Sequence, residues 1–167
     1  MKQLLLIRHG KSSWDFPGRS DHDRPLNDRG RDDAPRVAQA LLQRGVRPDA
    51  FVSSTATRAA STAGLLAEEM GFPASGIVEK EELYLASPRT ILSLVQQLDE
   101  GLETVLVFGH NPGMHEAVEH ITSDSSVHTF PTLAVARIEL KVEFWGEVDE
   151  GSGLLLELLL PRSLRSG

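Results

Sequence analysis

Short uninterrupted apolar runs alternate along this chain with longer stretches whose apolar residues recur every three or four positions. The runs "QLLLI" (3–7), "DAFVSS" (49–54) and "TVLVFGH" (104–110) carry little or no polar face, which predicts strands covered on both sides. Between the first two, Ala34, Val37, Ala38, Leu41 and Leu42 follow helical spacing. That helix starts at Asn27 or Asp28, either of which can cap it, and runs to about Arg44, where Gly45 stops it. A second helix covers "TATRAASTAGLLAEEMG" (55–71), with Thr55 as its N-cap and Gly71 as its stop. After a short extended piece near Ile77 and Val78, Ser87 caps a third, "PRTILSLVQQL". Its Pro88 sits in the first turn, where a missing N–H costs nothing. Pro112 opens a fourth helix, to about Ile121.

The final third changes period. "TLAVARIELKV" alternates apolar with polar residues, "EFWGEVDEGSG" is rich in turn formers, and "LLLELLL" (154–160) is again strand-like. Periodicity alone also allows a helix over 154–160, but its length and its flanking Gly and Pro favour a strand. The order β-α-β-α-(β)-α-β-α followed by two strands predicts a three-layer α/β/α sandwich. Its central sheet is mostly parallel, with an antiparallel edge hairpin. No repeat or linker divides residues 1–167, so a single domain without a cap is expected.

Composition narrows the partners. Seventeen basic against 24 acidic residues leave a formal charge of -7, which argues against nucleic-acid binding, since that affinity comes from neutralised phosphates. An anionic ligand must be held by local positive charge. The absence of cysteine excludes disulfides, zinc–thiolate sites and a thiol nucleophile. The longest apolar run falls far short of the roughly 20 residues of a membrane span, and the N-terminal run is too short for a signal peptide core. The expectation is a cytoplasmic protein with no membrane partner.

In an open parallel sheet, ligands gather beyond the carboxyl ends of the strands. There the first strand delivers Arg8 and His9, and the second delivers Ser53 and Ser54, then Arg58 in the first helical turn. The 104–110 strand delivers Gly109, His110 and Asn111. A single His after a strand is ordinarily a loop residue, and Arg58 alone reads as a surface residue set against the helix dipole. Four such groups from three distant segments read as an anion site, with Gly10 and Gly109 permitting close backbone approach. Two guanidiniums and two imidazoles suit a phosphoryl group. Without a thiol or a metal cage, neutral His9 is the natural nucleophile, its other ring nitrogen fixed by an acceptor such as a backbone carbonyl.

Other candidates are weaker. Asp21, His22 and Asp23 suggest a metal, but no ligand spacing accompanies them. His110, His115 and His120 recur every fifth residue and so do not share a helix face. Arg24 and Asp28 are expected to pin the long loop of residues 10–28, with Arg24 also a candidate for the pocket rim. Lys11 and Ser12, directly after the nucleophile, are placed to touch substrate. Trp14 either lines the entrance or, the more ordinary role, anchors the loop from beneath. No Gly-rich nucleotide motif occurs, and no cofactor is expected.

"LLLIRHGKSSW" resembles the Arg-His-Gly signature of the histidine phosphatase superfamily, and Arg58 in "SSTATRAAST" and His110 in "VFGHNPG" match its second arginine and second histidine. The compact length, with "DHDRPLNDRGRDDAP" and "GHNPG", is similar to the SixA-type phosphohistidine phosphatase branch. The resemblance implies a phosphoglycerate-mutase-like fold. It also implies a metal-independent phosphohydrolase working through a phosphohistidine intermediate, with His9 as nucleophile and Arg8, Arg58 and His110 around the phosphate. Asn111 joins the substrate-binding set. A general acid, by analogy with larger members, falls to Glu81 or Glu82, with Glu82 preferred. A solvated acidic loop is the plain alternative for both. The expected substrate is phosphohistidine on a protein, such as a histidine-phosphotransfer domain. The rivals are a phosphatase of small phosphate esters and an inert phospho-residue binding module.

Overall fold

The computed structural model describes residues 1–165. Six strands, β1 (Lys2–Arg8), β2 (Ala50–Ser54), β3 (Val78–Lys80), β4 (Thr104–Gly109), β5 (Val135–Leu140) and β6 (Gly153–Leu159), form one sheet in the order β3-β2-β4-β1-β5-β6. Strands β1 to β4 run parallel to one another, β5 runs antiparallel to β1, and β6 antiparallel to β5. Helices α1 (Asp28–Gln43), α2 (Thr57–Met70), α3 (Pro88–Gln96) and α4 (Gly113–Thr122) connect or follow the parallel strands, and a short α5 (Arg162–Arg165) ends the described chain.

The apolar run of β1 has no polar face because both of its faces are covered. Leu4 and Leu6 point into a core shared with Ile91, Val95, Met114, Val118 and Trp145, on the α3/α4 side. Leu5 and Ile7 point the other way, to Val37, Leu41, Leu66, Phe51 and Phe108, on the α1/α2 side. Each fully buried Leu or Ile contributes about 1.5–3 kcal/mol of transfer free energy. Truncating the central Phe51, which stacks 5.7 Å from Phe108, would cost about 3–5 kcal/mol.

Helix ends follow their sequence signals with one exception. Asn27 accepts from the Gly30 amide, Ser87 accepts from that of Thr90, and Gly45 and Gly71 take positive φ. Thr55, however, does not cap α2; that place falls to Ala56, and the Thr55 hydroxyl bonds His22 Nε2 at 2.8 Å instead. The loop after β1 thus takes up a group that local propensity assigns to the helix. The short α5 has no counterpart in the sequence reading; Arg165 reaches Asp33 of α1 through two bonds of 2.9 and 2.6 Å.

Candidate active site

Arg8 closes β1, and the chain turns at once. The His9 amide donates to the Gly109 carbonyl and the Gly10 amide to Thr62 Oγ1, so the tip of β1 is tied to both β4 and α2. Thr62 in turn donates to the Arg58 carbonyl at 2.7 Å, which fixes the first turn of α2. His9, Arg58 and His110 are buried, and the two imidazole centroids lie 5.1 Å apart.

Hydrogen bonds settle the tautomers. His9 Nδ1–H donates to its neighbour's carbonyl, Gly10 O, at 2.7 Å. This is the backbone acceptor expected from sequence. It leaves the Nε2 lone pair facing Arg58, whose Nε donates to it at 3.4 Å. His110 Nδ1 faces Arg58 Nη2 at 3.3 Å and must accept, so its Nε2–H donates to Ser54 Oγ at 2.8 Å. Burial, more than the nearby cations, pushes His9 down to about 4, the Gly10 carbonyl partly offsetting it. Burial, then the neighbouring His9, pushes His110 down to about 3. Both rings are therefore neutral at pH 7.

Arg58 is held by a residue whose part in the pocket the sequence did not show. Its Nη1 donates to the Asp21 carbonyl at 2.7 Å and its Nη2 to Asp21 Oδ2 at 3.0 Å. The Tyr84 hydroxyl also donates to Asp21 Oδ2, and Arg24 Nε donates to Oδ1 at 3.2 Å. Tyr84, first among these partners, with Arg58 and Arg24, holds the Asp21 carboxyl down to about 2, so it is an anion throughout the physiological range. That charge answers the cost of a cation at a helix N-terminus. Asp21 was visible only as one of the three residues of a metal-like run. Beyond Arg24, its partners Arg58 and Tyr84 lie 37 and 63 residues away, and no local pattern encodes such pairs.

A pocket of about 310 Å³ opens above these groups, lined by Arg8, His9, Arg58, His110, Lys11, Ser12, Trp14, Arg24, Asn111, Leu85 and Thr132. Eight of the nine residues proposed from sequence for catalysis or binding thus meet here. Arg8 donates to the Phe130 carbonyl at 3.3 Å, while its Nε is buried with no partner among the described residues. Asn111 Nδ2 donates to the same carbonyl at 2.7 Å. Ser12 Oγ accepts from Arg24 Nη1 at 2.6 Å.

The ninth, Glu82, is not brought to the pocket. It lies exposed in a single 3-10 turn, Glu81–Leu83, and lines a separate cleft with Lys80, Arg89 and Ser93; Glu81 is exposed in the same turn. Two further expectations need correction. Trp14 does not anchor the loop from beneath; it is 77% exposed at the pocket mouth. Asp28 does not pin the loop with Arg24, since it pairs with Arg31 on its own helix, and Asp21 takes its place.

Size does not choose the site. A cleft of about 640 Å³ lies elsewhere, but Glu116, Glu119 and Asp149 make its lining acidic, the wrong sign for an anion. Among the described residues, no group of three or more His, Asp or Glu side chains stands together as a metal cage, and no helix is long and apolar enough to cross a membrane.

Comparison with known proteins agrees with this geometry. A SixA structure from Agrobacterium tumefaciens is 31% identical and superposes with a TM-score of 0.80, covering 96% of this chain and 98% of that one. The protein histidine phosphatase SixA in complex with tungstate is 26% identical, with a TM-score of 0.83 over 98% of this chain and 99% of that one. An uncharacterized chloroplastic protein of Arabidopsis thaliana is 33% identical over 74% of this chain, and the match spans 61% of that relative's length. The model of the histidine phosphatase superfamily (branch 1) matches residues 4–84, the segment that contains Arg8, His9 and Arg58. With the sheet order, the pocket and these likenesses in agreement, the chain belongs to the histidine phosphatase superfamily.

Proposed function

We propose that this chain is a metal-independent phosphohydrolase that passes the phosphoryl group through His9 and acts on phosphohistidine carried by a protein. One observation carries the reading: Gly10 O holds the His9 proton on Nδ1, so Nε2 is unprotonated and faces a pocket lined by Arg8, Arg58 and His110, its lone pair engaged by a long bond of 3.4 Å from Arg58 Nε. Nε2 attacks phosphorus, the bond to the leaving group breaks, and the pair goes with that group. Arg8 and Arg58 face the charge that spreads over the equatorial oxygens. The arriving phosphoryl charge raises the His110 pKa, and a proton taken up on Nδ1 turns it from acceptor into donor. Water then attacks the phosphorylated His9, the P–N bond breaks, its pair returns to Nε2, and phosphate leaves.

The likeness to SixA supports phosphohistidine as substrate. So does the pocket lining, which contains no Asp or Glu among the described residues. An alkoxide leaving group needs a proton from a placed acid, whereas a protonated phosphoimidazole leaves as neutral imidazole. The nearest carboxylate bound into the network, Asp21, is too strongly held as an anion to supply that proton. Rates on a phosphohistidine-bearing protein and on a panel of phosphate esters test this side by side, with and without chelator. Preference for the P–N substrate, unaffected by chelation, is expected. Faster turnover of esters overturns the substrate, and loss of activity with chelator overturns the mechanism.

A further inference from the structure

The floor of the pocket is cationic, but its lip adds two large apolar side chains. Trp14 and Leu85, 77% and 58% exposed, are the large exposed apolar side chains that line it. Neither exposure comes from a loose backbone. Ser12 bridges Leu26, the Ser13 amide donates to the Pro25 carbonyl at 2.8 Å, and the Asp15 amide donates to Ser13 Oγ at 3.0 Å, so Trp14 is pinned on both sides. One face of its indole is covered by the Arg24 guanidinium, 3.6 Å from the ring centre, and Arg24 is itself fixed by Ser12 and Asp21. Leu85 holds a left-handed backbone, φ 51°, which a bulky residue rarely adopts and which collects at functional positions.

In-line attack by His9 from the floor places the departing atom on the opposite side of phosphorus, towards the mouth. Whatever leaves must therefore leave past the lip. We propose that Trp14 and Leu85 form the leaving-group subsite, with the bare indole face stacking on a planar ring, the imidazole of a phosphorylated histidine, and Leu85 packing against it. The proposal rests on the phosphohydrolase reading above and deepens it, because it makes the leaving group's shape a determinant of specificity.

The test compares wild type, Trp14→Ala and Trp14→Phe on four small substrates: phosphohistidine and phosphoramidate, then phenyl phosphate and methyl phosphate. Each pair keeps the bond type and removes the ring. Binding of phenylphosphonate and methylphosphonate, followed by calorimetry, gives the same contrast without turnover. Trp14→Ala is expected to lower kcat/KM about tenfold for ring-bearing substrates and to leave ringless ones within about twofold, with Trp14→Phe restoring most of the loss. Leu85→Gly is expected to weaken ring-bearing substrates selectively while raising the melting temperature, since it relieves the backbone. Equal losses on both members of a pair, or none, overturn the proposal, the former making Trp14 a mere support for Arg24. If only esters are turned over, the phosphohistidine reading fails while the ester and phosphonate pairs still decide the role of Trp14.

Discussion

Lys2 and Arg8 stand at opposite ends of β1, and both carry a positive charge into the protein. At the amino end, Lys2 is buried and fully used: its ammonium donates to the Glu100 carbonyl at 2.6 Å and the Leu102 carbonyl at 2.9 Å, with Glu100 and the Trp145 ring beside it. At the carboxyl end, Arg8 makes one bond of 3.3 Å to a carbonyl, leaves its buried Nε unpaired among the described residues, and faces Arg58. Burial first, then Arg58, lowers its pKa. One strand thus bears a cation that the fold satisfies and one that it leaves waiting. The first closes a core; the second is stabilised only when an anion arrives.

Substitutions can break that contrast. The largest effect is expected at the proposed nucleophile: His9→Ala should lower turnover more than about a thousandfold while inorganic phosphate still binds. Near-normal turnover would remove His9 from its role. Next come the two cations. Arg8→Ala should lower kcat/KM roughly a hundredfold or more with little change in melting temperature. Lys2→Met should do the reverse, leaving kcat/KM intact while costing about 1–3 kcal/mol from two abandoned carbonyls. If both variants lose activity and stability alike, the two ends are not different in kind.

Removing the anchor of Arg58 should act more gently. Asp21→Asn keeps the backbone carbonyl contact but removes the charge, and about a tenfold loss in kcat is expected, with a smaller loss for Tyr84→Phe. Unchanged kinetics in both would reduce the network to packing.

Protons sharpen the contrast by another route. Both pocket imidazoles titrate below their ordinary value of 6.5, His9 at about 4 and His110 at about 3. Between those values and 6.5 the unfolded chain binds more protons than the native one, so stability should rise with pH across that window and level off above it. His110→Gln should flatten the slope of melting temperature against pH between pH 4 and 6.5; an unaltered slope would place its origin elsewhere. The smallest effect is expected for Glu82→Gln, with esters and phosphohistidine both near wild-type rates, since that carboxylate lines a different cleft. A selective loss on esters would restore Glu82 as the acid.

Much of this was legible in the sequence for one reason. Strands covered on both faces betray themselves as unbroken apolar runs, and in a parallel sheet their carboxyl ends meet. Arg8, His9, Arg58, Asn111 and His110 could therefore be gathered from strand endings alone. Side chains on the long loop could not. Asp21 and Tyr84 meet across 63 positions, and Thr55 leaves its helix for His22, because the course of the loop decides both contacts. Trp14 misled for a related reason: a large apolar residue is ordinarily buried, and only its place beside Arg24 shows that it is held outward. Glu82 was carried over by analogy, without a strand end to place it.

The turn that bears Leu85 also rests on the start of α4. A Cβ on Gly113 would lie 1.9 Å from the Ala86 carbonyl oxygen, so backbone touches backbone there, three residues after His110. The lip and the second histidine are therefore coupled mechanically. Lengthening the chain at residues 84–87 would disturb the start of α4 and with it the pocket, whereas the exposed segment 73–76, which leads into β3 at the amino ends of the parallel strands, lies on the far edge of the sheet from His9. An insertion ahead of β3 would therefore leave the pocket as it is, and one behind β3 would reshape its lip and the setting of His110 together.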